Sequence, residues 1–314
     1  MWKTKLTELL GIDYPIIQGA MAYLSEAKLV SAMCHAGATG VIATGGLPVD
    51  KVREQIRNTK DITSRPFGVN LMLQSPNKDD IAQLVCDEKV AFVTIGAGNP
   101  VPYFEPLQAH GVKCIPVVPS VRLAKRVQEK GADALVIEGM EAGGHDGTLT
   151  TMSLMENVIP EIEIPVVAAG GIVDGRGIAA ALLMGASGVQ MGSRFLLSEE
   201  CILHPNAKQA IMKAVDTDST VTGFTRNNSV RGLKNAWSEA YLKKEYSGAP
   251  EEELAKMATG TNWKGAIEGD TENGFVLVGM SLNRLNHIQP VQEIMDELVS
   301  ETEQRLAVAG SLLK

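Results

Sequence analysis

The sequence predicts an α/β protein, a (β/α)8 TIM barrel with a small helical lid, and three observations predict it. Eight short β-branched runs recur at near-regular intervals, helical patterns fill the gaps between them, and the rhythm stops after Arg194. The candidate strands are residues 14–18, 40–44, 67–71, 91–95, 113–118, 134–138, 165–169 and 188–191, starting 21 to 31 residues apart. They are apolar at most positions, as expected where both faces of a parallel sheet are covered. Residues 25–36, 50–58, 78–87, 121–130 and 175–184 carry helical patterns between them. A doubly wound open sheet shows the same alternation, but eight units at this spacing favour a closed barrel.

Beyond the barrel, assigned to residues 1–200, a polar, helix-prone stretch runs from 201 to 282. Helical patterns at 237–246 and 250–257 are separated there by loops rich in Gly, Asn and Thr. A structureless loop of this length is uncommon in a compact domain, so the stretch is expected to form a helical lid over one barrel end. Residues 283–314 form the third segment. Within it, residues 290–306 place Val291, Ile294, Met295 and Leu298 on one helical face, which predicts a surface helix packed back on the barrel.

Composition narrows the function. Hydrophobic residues make up 45% and charged residues 21% of the 314, values of a globular chain with a sizeable core. The net charge of −8, from 29 basic and 37 acidic residues, opposes nucleic-acid binding, which needs a basic surface. The longest apolar run, residues 177–193, is too short to span a bilayer and is flanked by Arg176 and Arg194. With no apolar export signal after the basic first residues, a cytoplasmic protein without membrane partners is expected. Cys34, Cys86, Cys114 and Cys201 lie far apart and read as buried small hydrophobes. No two histidines stand at metal-ligand spacing, so no metal site is expected.

In a barrel of this kind the ligand site is built from loops at the carboxyl ends of the strands. The first strand runs into Gly19, Ala20 and Met21, small residues against which a flat ligand can lie. The third contains Asn70, which can donate to and accept from a heterocyclic edge. The sixth ends at Glu138, the seventh leads into Gly170-Gly171, and the eighth into Gln190-Met191-Gly192-Ser193. Gly170-Gly171 alone also reads as a tight turn into the next helix. Together with Gly192-Ser193 at the adjacent strand, it predicts a cradle of backbone N–H groups for a phosphate. Of the five histidines, His35 and His110 fall at predicted helix ends, where a dipole partner is the plain explanation. His145 follows a barrel strand among Gly143, Gly144 and Gly147, a position suited to proton transfer near neutral pH.

The runs Tyr14-Pro15-Ile16-Ile17-Gln18-Gly19, Phe67-Gly68-Val69-Asn70, Gly96-Ala97-Gly98-Asn99-Pro100, Glu138 through His145, Ala168 through Ile172 and Met191 through Phe195 carry a resemblance. They resemble the flavin-dependent enoyl-acyl-carrier-protein reductase II family, a close relative of the nitronate monooxygenases once called 2-nitropropane dioxygenases. The resemblance implies an FMN-holding barrel, with Gly19, Ala20 and Met21 along the flavin ring and Asn70 and Glu138 at its polar edge or the ribityl chain. Gln190 belongs to the same cofactor-binding set. Gly170, Gly171, Gly192 and Ser193 would hold the phosphate, and His145 would orient an enoyl thioester or assist proton transfer. It further implies NADH or NADPH as reductant, a response to a monovalent cation, a small-molecule or carrier-protein-bound acyl substrate, a place in fatty acid synthesis and a homodimer.

The flavin site keeps the family pattern for the most part, while the lid has changed. Ala20 and Tyr23 replace a usual Gly and Trp, and Asp146 replaces an apolar residue beside the histidine, where a carboxylate could raise the imidazole pKa. Asn227-Asn228-Ser229 stands for a usual Gly-His-Pro before Val230-Arg231, and Met280 for a usual Gln. Residues 221–248 carry Arg226, Arg231, Lys234, Lys243 and Lys244 against Glu239 and Glu245. That excess reads either as a docking face for an acidic carrier or dinucleotide phosphate, or as a solvated helical face. Two other functions stand beside the reductase: a nitronate monooxygenase using O2, with His145 as base, and a flavin-binding module without turnover.

Overall fold

The computed structural model describes residues 1–145 and 147–312. In chain order the elements are α1 (Lys5–Leu10), β1 (Ile16–Gln18), α2 (Ala27–His35), β2 (Thr39–Ile42), α3 (Val49–Ile62), β3 (Gly68–Met72), α4 (Lys78–Asp87), β4 (Phe92–Gly96), α5 (Val101–Ala109), β5 (Lys113–Val118), α6 (Val121–Glu129) and β6 (Leu135–Glu138). There follow β7 (Gly144–His145), α7 (Thr151–Val158), β8 (Val166–Ala169), α8 (Gly175–Leu183), β9 (Gly188–Met191) and α9 (Ser193–Leu196). After these come α10 (Pro205–Lys213), β10 (Ser219–Thr222), β11 (Val230–Leu233), α11 (Ala236–Tyr246), α12 (Glu251–Ala258), α13 (Thr261–Ala266) and α14 (Val291–Ser311).

Strands β1 to β6, β8 and β9 close into an eight-stranded parallel barrel, the eight runs expected from the sequence. Closure is made by β9 against β1, with Ile17 opposite Gln190. Side chains alternate between two cores. Ile17, Val41, Phe92, Ile115, Val136 and Val167 fill the barrel, and Leu6 and Leu10 of α1 plug its amino-terminal end. Ile16, Ile42, Val69, Val93, Ile137 and Ala168 face outward into the layer shared with the helices. That division is why the strands carry no polar face. Helix starts are locally encoded: Thr4 and Asn235 form capping boxes, and Asp174 accepts from the Arg176 and Gly177 N–H groups.

α14 packs on α8 and α2, with Val291, Ile294, Met295 and Leu298 buried. The Glu301 carboxylate accepts from Gly175 N–H at 2.9 Å, and Thr302 Oγ1 donates to Leu298 O at 2.6 Å. Between the barrel strands, two helices carried no clear sequence signal. α5 holds Pro106 in its interior, and α7 begins where a glycine-rich loop ends. The 201–282 stretch holds helices α10 to α13 but also contributes β10 and β11. These join β7 in an antiparallel sheet ordered β10-β11-β7. The four-residue strands Ser219–Thr222 and Val230–Leu233 have their partners far apart in the chain, so local pattern did not mark them.

All four cysteines are buried and unpaired. Burial pushes the Cys34 thiol up to about 11 and the Cys114 thiol to about 12, so neither is a ready thiolate. Among the described residues, no helix is long and apolar enough to cross a membrane.

Gly68 sits beside the fully buried Phe92 inside the barrel, and a Cβ there would be driven into the Phe92 ring. Gly68→Ala is therefore expected to lower stability by about 1–3 kcal/mol through overpacking, read as a lower urea midpoint with an unchanged m-value.

Candidate active site

The barrel seam sets the floor of the site. Gly19 N–H donates to Met191 O at 3.0 Å, which brings the turn after β1 alongside the turn after β9. The Gln190 side chain lies across Gly19, where an added Cβ would stand 3.0 Å from Gln190 Cγ and Cδ. Asn70 on β3 is fixed by donating from Nδ2 to Thr94 Oγ1 at 3.2 Å and Thr94 O at 3.3 Å on β4. Glu138 ends β6 on the same rim. Gly19, Ala20, Met21, Asn70, Glu138, Gly170, Gly171, Gln190, Gly192, Ser193 and His145 all line one cavity of about 600 Å3, within the range of small-molecule and cofactor sites.

One end of this cavity is built from backbone. Gly170 and Gly171 have φ of +99° and +72°, a left-handed turn that a Cβ would strain. Gly170 is also wedged, since a Cβ would lie 2.9 Å from Gly139 O and Thr151 Oγ1. At Gly192 the opposite holds. An added Cβ would meet no protein atom nearer than 3.9 Å, so that face opens on the cavity. Among the described residues, the Gly171, Gly192 and Ser193 N–H groups donate to no backbone carbonyl of a turn or loop. Ser193 Oγ accepts from Gly279 N–H at 2.9 Å, and Ser281 Oγ donates to Gly171 O at 2.7 Å. No Lys or Arg lines the cavity among the described residues, so an anion here would be held by amides and the Ser193 hydroxyl.

His145 is held from outside the barrel. Its strand β7 pairs antiparallel with β11, with Val230 opposite His145 and Arg231 opposite Gly144. The His145 side chain is exposed to the cavity. The lid supplies more of the wall: Asn227, Asn228 and Ser229 lie between β10 and β11, Asn262 on α13, and Leu277, Met280 and Ser281 in the strap before α14. The turn leading to Asn227 is fixed by the buried Glu245 carboxylate, which accepts from Gly223 N–H, Thr225 N–H and Thr225 Oγ at 2.8–2.9 Å. Asp146 lies outside the described residues.

Glu141 was not singled out from the sequence. Its carboxylate accepts from Thr151 N–H at 2.9 Å and Thr151 Oγ1 at 3.0 Å, tying the His145 loop to the start of α7 while lining the cavity. Only its place in the glycine-rich loop hinted at it. The basic excess of residues 221–248 is largely engaged. Arg231 turns inward, Arg226 donates to Ala249 O and faces Glu251, Lys234 faces Glu239, and Lys244 pairs with Glu253.

The nitronate monooxygenase family model matches residues 3–85 and 81–301, nearly the whole chain. The chain belongs to the nitronate monooxygenase family. As a member it is an oxidoreductase of a flavin-dependent group. The structure of FabK from Thermotoga maritima is 39% identical, with a TM-score of 0.96 over 99% of this chain and 100% of that one. Nitroalkane oxidase from Streptomyces ansochromogenes is 26% identical, with a TM-score of 0.85 over 99% and 100% of the two chains. A (3aS,4S,5R,7aS)-5-hydroxy-7a-methyl-1-oxo-octahydro-1H-indene-4-carboxyl-CoA dehydrogenase from Rhodococcus jostii is 29% identical over 99% of this chain and 98% of its own.

For a nitronate monooxygenase family member the residues present fit a flavin mononucleotide. The small residues Gly19-Ala20 and the amide side chains of Asn70 and Gln190 line the same cavity, and the backbone cradle around Gly171, Gly192 and Ser193 matches a phosphate. Gly192→Leu, which projects a side chain into this open end, is expected to keep the native circular dichroism spectrum but weaken FMN binding at least ~10-fold, as expected when a phosphate contact is blocked. Flavin fluorescence quenching measures it.

Proposed function

We propose that this chain is an FMN-dependent NAD(P)H oxidoreductase that reduces the 2,3 double bond of enoyl thioesters. The carrying observation is its likeness to FabK, an enoyl-acyl-carrier-protein reductase II, along the entire chain at 39% identity. The likeness to a dehydrogenase whose name specifies a carboxyl-CoA substrate supports a thioester. FMN, when bound, supplies the hydride chemistry between nicotinamide and substrate. The chain's own residues do the rest. Gly19, Ala20 and Met21 support the ring, Asn70, Glu138 and Gln190 address its polar atoms, and Gly170, Gly171, Gly192 and Ser193 hold its phosphate. Val117, Val118, Leu123 and Leu277 offer an apolar wall for the acyl part. The His145 imidazole holds the thioester carbonyl or delivers the proton that the substrate α-carbon takes up.

A second reading, nitronate oxidation with O2, is favoured by the family's own activity and by the nitroalkane oxidase likeness. There His145 would take the proton from the nitroalkane carbon.

An anaerobic experiment separates them. The purified yellow protein should bleach with NADH or NADPH and recolour when crotonyl or a longer enoyl thioester is added. No bleaching by either nicotinamide, with reduction by a nitronate instead, overturns the reductase. His145→Ala should retain FMN yet lose roughly 10²-fold in turnover, the usual contribution of a proton-transfer group. Unchanged turnover removes His145 from the reaction.

A further inference from the structure

The loop that carries His145 is fixed mainly by groups outside the barrel. β7 is two residues long, and its ladder partner is the lid strand β11. Met140, at the loop's start, donates its N–H to Leu149 O at 2.8 Å, closing the loop at its base. Its carbonyl accepts from Arg231 Nε at 2.8 Å. The same guanidinium reaches Ser219 Oγ on β10 through Nη1 at 3.0 Å, so one side chain ties the loop's base to a second lid strand. Arg231 is only 5% exposed, and its backbone lies opposite Gly144, next to His145. On the other side, Met280 N–H donates to Glu141 O at 3.0 Å, and Gly143 lies so close to Val278 that a Cβ would stand 2.6 Å from its backbone.

A buried, charge-assisted hydrogen bond to a main-chain carbonyl is directional and is not readily replaced by water. Arg231 thus fixes both ends of the segment that presents the imidazole, through Met140 at one end and the β11 ladder at the other. We propose that Arg231 is a positioning residue: it places His145 for proton transfer and makes that placement depend on lid docking. This rests on the reductase reading given above, in which His145 acts on the thioester.

The test is a double-mutant cycle on the FMN-loaded full chain, with the two half-reactions measured separately. Arg231→Met should retain FMN and should bleach with NADH or NADPH at a rate within about twofold of the native protein. Recolouring by the enoyl thioester should fall roughly 10- to 10²-fold, the loss expected from misplacing a reacting group by about 1 Å. Arg231→Lys, which keeps a donor for Met140 O, should recover most of that loss. In a His145→Ala background, Arg231→Met should cost nothing further, because the two changes remove one function.

Hydrogen exchange gives a readout independent of turnover. The peptide spanning residues 140–149 should exchange faster in Arg231→Met while peptides from β1 to β5 do not change. Equal rate losses in the native and His145→Ala backgrounds, or unaltered exchange at 140–149, would overturn the proposal. A native protein that fails to recolour with thioester would overturn the reductase reading itself, whereas a His145→Ala protein with the native rate would overturn the Arg231 proposal and leave the reductase reading standing.

Discussion

Closure of the barrel by β9 against β1 is the constraint on which the site depends. With Ile17 opposite Gln190, the turn after the first barrel strand must lie beside the turn after the last. Residues more than 170 positions apart in the chain, Gly19 to Met21 and Gly192 to Ser193, then form one surface. Parallel strands put all their carboxyl ends on the same rim, so the β3, β6 and β8 loops converge there too. Packing beneath this rim, with Phe92 against Gly68 and α1 plugging the far end, keeps the scaffold stiff. A phosphate cradle there would need that stiffness, because amides hold an anion well only when they cannot turn away.

The site is a composite. The barrel supplies the floor and the anion end, whereas the lid supplies Asn227 to Ser229, part of the far wall and the strand that holds His145. On the proposed reading, cofactor retention falls to the barrel rim and proton transfer to a barrel loop clamped by the lid, the two joined through Glu141, Arg231 and the strap at Val278 to Ser281. Chemistry on the lid side can vary while the flavin side stays constant. This matches a family whose relatives include FabK, a nitroalkane oxidase and a CoA-ester dehydrogenase on one scaffold.

Much of this was legible in the residues. β5, α4 and β9 stand at the predicted bounds because mostly apolar runs and a clear helical period leave little room for register error. The candidate site residues meet in one cavity because barrel geometry turns "after a strand" into "on one rim". What stayed hidden has a common cause. β7, β10 and β11 are short and find their partners far along the chain, α5 is masked by Pro102 and Pro106, and the Glu141–Thr151 and Arg231–Met140 contacts are purely tertiary. The basic excess of residues 221–248 was visible as composition. That most of it is spent on internal pairs was not.

On the proposed function, uncharged backbone, chiefly the amides of Gly171, Gly192 and Ser193, grips the phosphate of FMN at the carboxyl rim. Equilibrium binding of FMN and of riboflavin to flavin-free protein tests this most directly, since the two ligands differ only in that phosphate. FMN is expected to bind at least ~10²-fold more tightly than riboflavin, the worth of two or more charge-assisted hydrogen bonds. Equal affinity for the two, or binding of neither, would contradict it.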